Sequence, residues 1–228
     1  ASGLRSFYSN TTGSYNTALG YNTLYSNTTA SNNTAVGYQA GYTNTTGTRN
    51  TFVGRGTGFT SNGDDNTAVG RNALYNNTTG AGNAVLGVDA LTANTTGALN
   101  TAIGYLALNA NTTASSNTAV GYQSQYSGQT TNYNTSVGYQ SAYSLTSGDE
   151  ITAVGYSALK ANTTGTNNTA MGSNALVTNT TGASNTAIGR QALLSNTTAS
   201  GNTAVGYQAA YANTTGTALV SVGYLALN

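Results

Sequence analysis

The sequence predicts an all-β fold, a parallel β-solenoid or β-roll of about 13 coils with a 17-residue period. Three observations carry that expectation. A phrase of the type N-T-A-V-G returns along all 228 residues, equivalent positions form columns of one chemical type, and the residues are those of strands and turns. The phrase's glycine marks the period at Gly3, Gly20, Gly37, Gly54, Gly70, Gly87, Gly104, Gly121, Gly138, Gly155, Gly172, Gly189, Gly206 and Gly223. Every interval is 17 residues except Gly54 to Gly70, which is 16. A period this regular leaves no room for a linker, so residues 1–228 read as one repeat domain, a stretch of a longer fibre or a unit that polymerises end to end.

Extended structure follows from the residue types. The consensus N-T-A-V-G-Y-x-A-L-x-x-N-T-T-G-x-x is rich in β-branched and small residues, and two glycines in 17 positions are poor for a helix. Asn-Thr-Thr-Gly marks a turn. A helical hairpin repeat needs about 33 residues, so two short strands and two turns per unit are expected. From Gly20 onward the residue before the marker glycine is always aliphatic or Met (Val36, Val53, Ile103, Met171), and the third residue after it is always small (Ala40, Thr57, Ala73, Ser124). Stacked parallel strands need such columns, because each residue sits about 4.8 Å above its copy. The aliphatic column, the small column and a leucine column (Leu24, Leu74, Leu91, Leu108, Leu159, Leu176, Leu193, Leu227) are expected inside. The first asparagine of each unit, as in Asn33, Asn50 and Asn66, is expected to form a ladder of stacked amides.

So thin an interior, at about 25 cal/mol per Å2, scarcely offsets ~1–2 kcal/mol of entropy per ordered residue. Two aromatic columns are also present. One follows the marker glycine (Tyr21, Tyr38, Tyr105, Tyr122, Tyr139, Tyr156, Tyr207, Tyr224) and a second runs through Tyr25, Tyr42, Phe59, Tyr75, Tyr126, Tyr143 and Tyr211. Thin coils with aromatic stripes predict burial against further copies of the chain, most simply a homotrimer around a parallel axis. About 13 coils predict a rod of roughly 60 Å.

Composition excludes several functions. Charged residues are 5% of the chain, with six Lys+Arg against five Asp+Glu and a formal charge of +1. Six spread cations cannot neutralise a phosphate backbone, so no nucleic-acid partner is expected. There is no Cys, His, Pro or Trp, which removes disulfides, zinc fingers and Cys-His or Ser-His-Asp catalysis. No apolar run approaches the ~18 residues of a membrane helix, so no membrane insertion is expected. Neither an enzyme nor a cofactor is anticipated, and the lack of Cys is compatible with an extracellular setting.

Residues 33–47, NTAVGYQAGYTNTTG, and 185–209, NTAIGRQALLSNTTASGNTAVGYQA, resemble tandem repeats of phage tail-fibre proteins and large bacterial surface proteins. The NTAVG core also resembles the N-S-V-A-I-G phrase of YadA-like heads in trimeric autotransporter adhesins. That resemblance implies a trimeric left-handed β-roll that binds host or matrix surfaces, located on a virion tail fibre or a bacterial cell surface. The unit here is longer than a YadA-like coil, which implies a longer turn at NTTG, and no coiled-coil stalk, membrane anchor or chaperone domain is recognisable.

Four groups of residues are candidates for chemistry. The acidic pairs Asp64-Asp65 and Asp149-Glu150 suggest a Ca2+ site, against a solvated turn paired with Arg49, Arg71 or Lys160. They lie five coils apart, as do the Asn-Thr-Thr-Ala-Ser phrases at 27–31, 111–115 and 196–200, which suggests duplication of a block of about 85 residues. The NTT triplets at Asn10, Asn27, Asn44, Asn77, Asn94, Asn111, Asn162, Asn179, Asn196 and Asn213 match the N-x-T glycan acceptor, against plain turn and ladder asparagines. The pairs Gln39/Tyr42, Gln123/Tyr126 and Gln208/Tyr211 are positions where a cell-surface glycan would stack and hydrogen-bond, as in an adhesin head. Ice binding would need outward Thr in T-x-T spacing, whereas the NTT threonines are adjacent and point to opposite faces.

Overall fold

The computed structural model describes residues 1–228 and contains thirteen strands of three residues each and no helix. The chain divides into two compact units, Ala1–Ser116 and Asn117–Asn228. In the first, β1 (Thr17–Leu19), β2 (Thr34–Val36), β3 (Thr51–Val53), β4 (Thr67–Val69), β5 (Ala84–Leu86) and β6 (Thr101–Ile103) pair in parallel in sequence order. In the second, β7 (Thr118–Val120), β8 (Thr135–Val137), β9 (Thr152–Val154), β10 (Thr169–Met171), β11 (Thr186–Ile188), β12 (Thr203–Val205) and β13 (Val220–Val222) do the same. Thr17 faces Thr34, and Thr169 faces Thr186. This is the all-β parallel solenoid that the period predicts.

Each coil holds one strand, not two. The expected second strand is replaced by turns, and the reason lies in the backbone. Three columns of non-glycine residues adopt left-handed φ: that of Gln39 (56°), that of Leu74 (56°) and that of Arg49 (58°). These sharp reversals curl the chain where an extended segment would run straight. Coil-to-coil hydrogen bonding continues through them, as in Gln39 N–H to Tyr21 O (2.9 Å) and Leu24 N–H to Ala40 O (3.0 Å). The marker glycine is a separate case. At Gly155 φ is +135°, and a Cβ would lie 2.6 Å from the Gly172 carbonyl oxygen of the next coil. Only glycine combines that angle with that approach.

The interior is not the one expected. In every strand the middle residue points inward and its two neighbours point out, so Ala35 is buried between exposed Thr34 and half-exposed Val36. The aliphatic column before the marker glycine is therefore on the outside, with Leu86 51% and Met171 41% exposed. Thr and aliphatic residues form the outward face of each sheet, and neither column carries a charge. The inward column is Ala, Ser, Val or Phe, and the coil is too narrow for more than small residues at most of these positions. The small column and the leucines are buried as expected (Ala40, Thr57, Leu74, Leu159), although Leu227 is exposed.

In the first unit the 16-residue coil has Ser61-Asn62-Gly63 where its neighbours read NTTG. In an ordinary coil one Thr carbonyl accepts two or three amides, as Thr95 O does from Thr78, Thr79 and Gly80 N–H. In the short coil the side chain of Asn62 stands in. Its Oδ1 accepts Thr45 N–H at 2.8 Å, Thr46 N–H at 3.4 Å and the Thr45 hydroxyl at 2.9 Å. The deletion is absorbed without breaking register, and β3 still pairs Thr51 with Thr67.

Candidate functional site

The most elaborate chemistry of the molecule is a set of buried asparagine ladders. The NTT asparagine folds back over its own turn, so that Asn94 Nδ2 donates to Gly97 O at 2.9 Å. The first asparagine of the same unit reaches the same oxygen, with Asn83 Nδ2 to Gly97 O at 3.0 Å. One turn carbonyl thus accepts two side-chain amides. The pattern recurs in the second unit at Gly182 O, bonded by Asn179 (2.9 Å) and Asn168 (2.7 Å).

Amide-to-amide stacking runs chiefly through the NTT column, as in Asn179 Nδ2 to Asn162 Oδ1 at 2.8 Å and Asn196 Nδ2 to Asn179 Oδ1 at 2.9 Å. The first-asparagine column, where such stacking is expected, mainly does something else. Its Oδ1 accepts the backbone N–H of its copy in the next coil, as Asn33 Oδ1 does from Asn50 and Asn168 Oδ1 from Asn185, both at 2.9 Å. A side chain thereby supplies the acceptor that a longer strand would offer. Buried amides are costly when left unpaired, and in these two columns only Asn27 Oδ1, Asn111 Oδ1 and Asn202 Nδ2 lack a partner.

Burial bears directly on the N-x-T motifs. Asn27, Asn44, Asn77, Asn94, Asn111, Asn162, Asn179 and Asn196 are fully buried, so a sugar on Nδ2 is incompatible with the packed coil. Asn10 and Asn213 are part-buried and make the same bond to their own turn, Asn10 to Gly13 O at 3.1 Å and Asn213 to Gly216 O at 3.0 Å. The glycan reading gives way to the ladder reading because the acceptor nitrogen is a structural donor.

The acidic pairs also join a ladder. Asp64 Oδ1 accepts Thr48 N–H at 2.7 Å, and Asp149 Oδ1 accepts Asn132 N–H at 2.7 Å. The same column holds Ser31, Ser115 and Ser200, whose hydroxyls accept Ser14, Ala98 and Ala183 N–H at 3.0 Å. The two five-coil rhythms of the sequence are therefore one device, an acceptor side chain for a turn amide of the preceding coil. Asp65 points outward and is forked by Arg49, with Nε to Oδ1 at 2.6 Å and Nη2 to Oδ2 at 2.9 Å. Hydrogen bonding to Arg49 holds the Asp65 carboxyl below its ordinary pKa. Glu150 accepts Asn167 Nδ2 at 2.7 Å. In each pair one carboxylate serves the backbone and the other a neighbouring side chain, so the two do not converge on a cation.

The Gln/Tyr pairs are built into columns. Gln140 Nε2 donates to Gln123 Oε1 and Gln208 Nε2 to Gln191 Oε1, both at 2.8 Å, and Gln39 lies in the same left-handed column. Tyr42 is stacked on one face by Tyr25 (5.2 Å) and on the other by Phe59 (5.0 Å), while Tyr126 stacks on Tyr143 at 5.1 Å. Tyr211 is half-buried. Both faces of the Tyr42 ring and one face of the Tyr126 ring are thus occupied by neighbouring rings. The aromatic columns thus gain much of their contact from within the chain.

The NTT threonines lie in a bend and not in extended backbone, so they do not alternate between faces, and at Thr78 and Thr79 both are exposed. The first donates its hydroxyl to its copy in the next coil, as Thr95 does to Thr112 O at 3.0 Å, and the second is exposed. The outward sheet face reads Thr-x-aliphatic, not T-x-T.

Fold and ladders together define the class: a parallel β-solenoid with a 17-residue repeat and Thr-rich strands. No protein-family model, curated protein or solved structure matches the chain.

Proposed function

We propose that this chain is a structural element of an extracellular fibre, a stretch of phage tail fibre or bacterial surface filament, and works as a rigid spacer. The observation that carries this reading is the repetition of one closed hydrogen-bond pattern from coil to coil. Strand, turn and buried amide each bond to their own copies, so bending any coil strains every ladder at once. The function resides in that stiffness; no residue has a catalytic role and no cofactor is used. The sequence resemblance to tail-fibre and surface-protein repeats points the same way.

The partner in this reading is the chain itself, with copies side by side in a closed arrangement about a parallel axis, here a trimer. The uncharged Thr/aliphatic face supports it. A face with one rung per coil is matched in register only by a surface of the same axial period, which a second copy has by construction. Electron microscopy of the purified protein, with its mass in solution measured by light scattering, tests the proposal. Straight rods of several parallel chains are expected. Dispersed monomers that bend freely, or a monomer that turns over a substrate, would overturn it.

A further inference from the structure

The chain has 17 tyrosines and no cysteine, so it cannot staple its coils with disulfides. The tyrosine column that follows the marker glycine offers a different bond. In the second unit Tyr122 and Tyr139 stack with ring centroids 5.2 Å apart, and Tyr139 and Tyr156 at 5.1 Å, both pairs within 6° of parallel. These rings are 43%, 42% and 56% exposed. In the first unit Tyr21 and Tyr38 repeat the arrangement at 5.5 Å. In-register stacking places the same ring atoms of successive coils opposite each other, and exposure leaves each ring room to tilt towards its neighbour on a short timescale.

We propose that this column is a site of oxidative cross-linking, at which Tyr139 is joined to Tyr122 or Tyr156 through a carbon–carbon bond between coils. The oxidant is hydrogen peroxide acting through a one-electron peroxidase. Each of two phenols loses a proton and an electron to become a phenoxyl radical. The two protons and two electrons reduce one peroxide to two waters. The radicals couple at the carbons ortho to oxygen, and the hydrogens on those carbons move to the oxygens, restoring both aromatic rings. The product has two hydrogens fewer than the parent chain. Rungs that were held to one another by hydrogen bonds and packing then gain a covalent cross-link. The second aromatic column also stacks tyrosines, as in Tyr25 on Tyr42 and Tyr126 on Tyr143, but these rings are half-buried and have less room to tilt.

The inference does not depend on the fibre reading, since the bond forms within one chain. The test is treatment of the native full-length protein with hydrogen peroxide and a haem peroxidase. It is read by dityrosine fluorescence and by mass spectrometry of peptic fragments. Links between Tyr139 and Tyr122 or Tyr156 are expected, with a yield independent of protein concentration. Tyr139→Phe keeps a stacked ring but should abolish the links of this triplet, because Tyr122 and Tyr156 are two rungs apart. Tyr133→Phe removes a more exposed ring, 68% accessible, and should leave the yield unchanged. A native yield no higher than that of the urea-unfolded chain overturns the proposal, as do links centred on Tyr133 or an undiminished yield in Tyr139→Phe.

Discussion

The interior around Phe52 in the first unit and the interior around Gln125 in the second depart from the usual Ala and Leu in opposite directions. Phe52 stands where most strands have Ala, and the leucine column beside it falls to Gly41 and Gly58. A Cβ on Gly58 would lie 2.5 Å from the Phe52 ring, and one on Gly41 would lie 3.1 Å away. One aromatic ring thus fills the space of two leucines. Gln125 stands in the leucine column and turns polar: its Nε2 donates to Thr131 Oγ1 at 3.0 Å and to Asn117 Oδ1 at 3.4 Å, and its Oε1 accepts Ser136 Oγ at 3.4 Å. Ser136 has replaced the inward Ala, and Ser124 Oγ lies 3.0 Å from Ser141 Oγ. The backbone frame of parallel pairing and marker glycines is kept in both places, although the coil of Phe52 is the 16-residue one. The difference teaches that the frame tolerates either chemistry, provided that volume or hydrogen bonds are balanced by neighbours in adjacent coils.

That comparison can be broken most severely at the frame. Gly155→Ala combines an unfavourable φ with a clash against backbone, and a loss of more than ~3 kcal/mol in a denaturant titration is expected. Retention of wild-type stability would show that the frame is not the constant element. Phe52→Ala should cost about 3–5 kcal/mol. Adding Gly41→Leu and Gly58→Leu to it restores the contents of the other coils and should recover most of the loss, whereas Gly58→Leu alone is expected to destabilise. In the second unit, Gln125→Ala strands its partners and should cost about 1–3 kcal/mol. Gln125→Leu with Ser136→Ala replaces both sides by apolar groups and should stay within ~1 kcal/mol of the parent; a double mutant worse than the single would mean that the polar cluster is required. The smallest effect is expected at Leu99, 66% exposed with a left-handed φ of 58°, in a column where Gly82 and Gly201 also occur. Leu99→Gly should raise the melting midpoint by an amount equivalent to roughly 0.5–1 kcal/mol, the relief of backbone strain less the added freedom of the unfolded chain.

The natural substitutions at Leu145 and Ile151 extend the lesson. The NTT amide of one unit and the first amide of the next become aliphatic together, and both residues are buried. Ile151 still donates its N–H to Asn134 Oδ1 at 2.8 Å, so the ladder from the preceding coil is kept while the polar interior is exchanged. Changing two neighbours together avoids leaving one amide unpaired in an apolar setting.

Periodicity made the parallel stack, the stacking of like on like and the burial of Ala40 and Leu74 legible, because a fixed 17-residue interval admits only a structure that repeats with it. The side of the sheet was not legible. Val36 is more apolar than Ala35, and a strand of three residues is too short for alternation to show which of the two faces inward. The acceptor column was hidden for a different reason. Ser31, Asp64, Ser115, Asp149 and Ser200 share no chemical class beyond an oxygen, and they look unrelated until one position in the coil unites them. The N-x-T triplets left the glycan and ladder readings both open, because burial is invisible in a one-dimensional pattern.

What the sequence alone determined is the existence of the repeat, and hence register, parallel pairing and the need for glycine at each marker, since these follow from spacing and residue type. Tertiary structure alone decided which column lines the interior, which asparagine oxygen caps which amide, and how Asn62 repairs the shortened coil. Those outcomes depend on where one coil places its atoms relative to the next, and that relation arises only once the turns have closed.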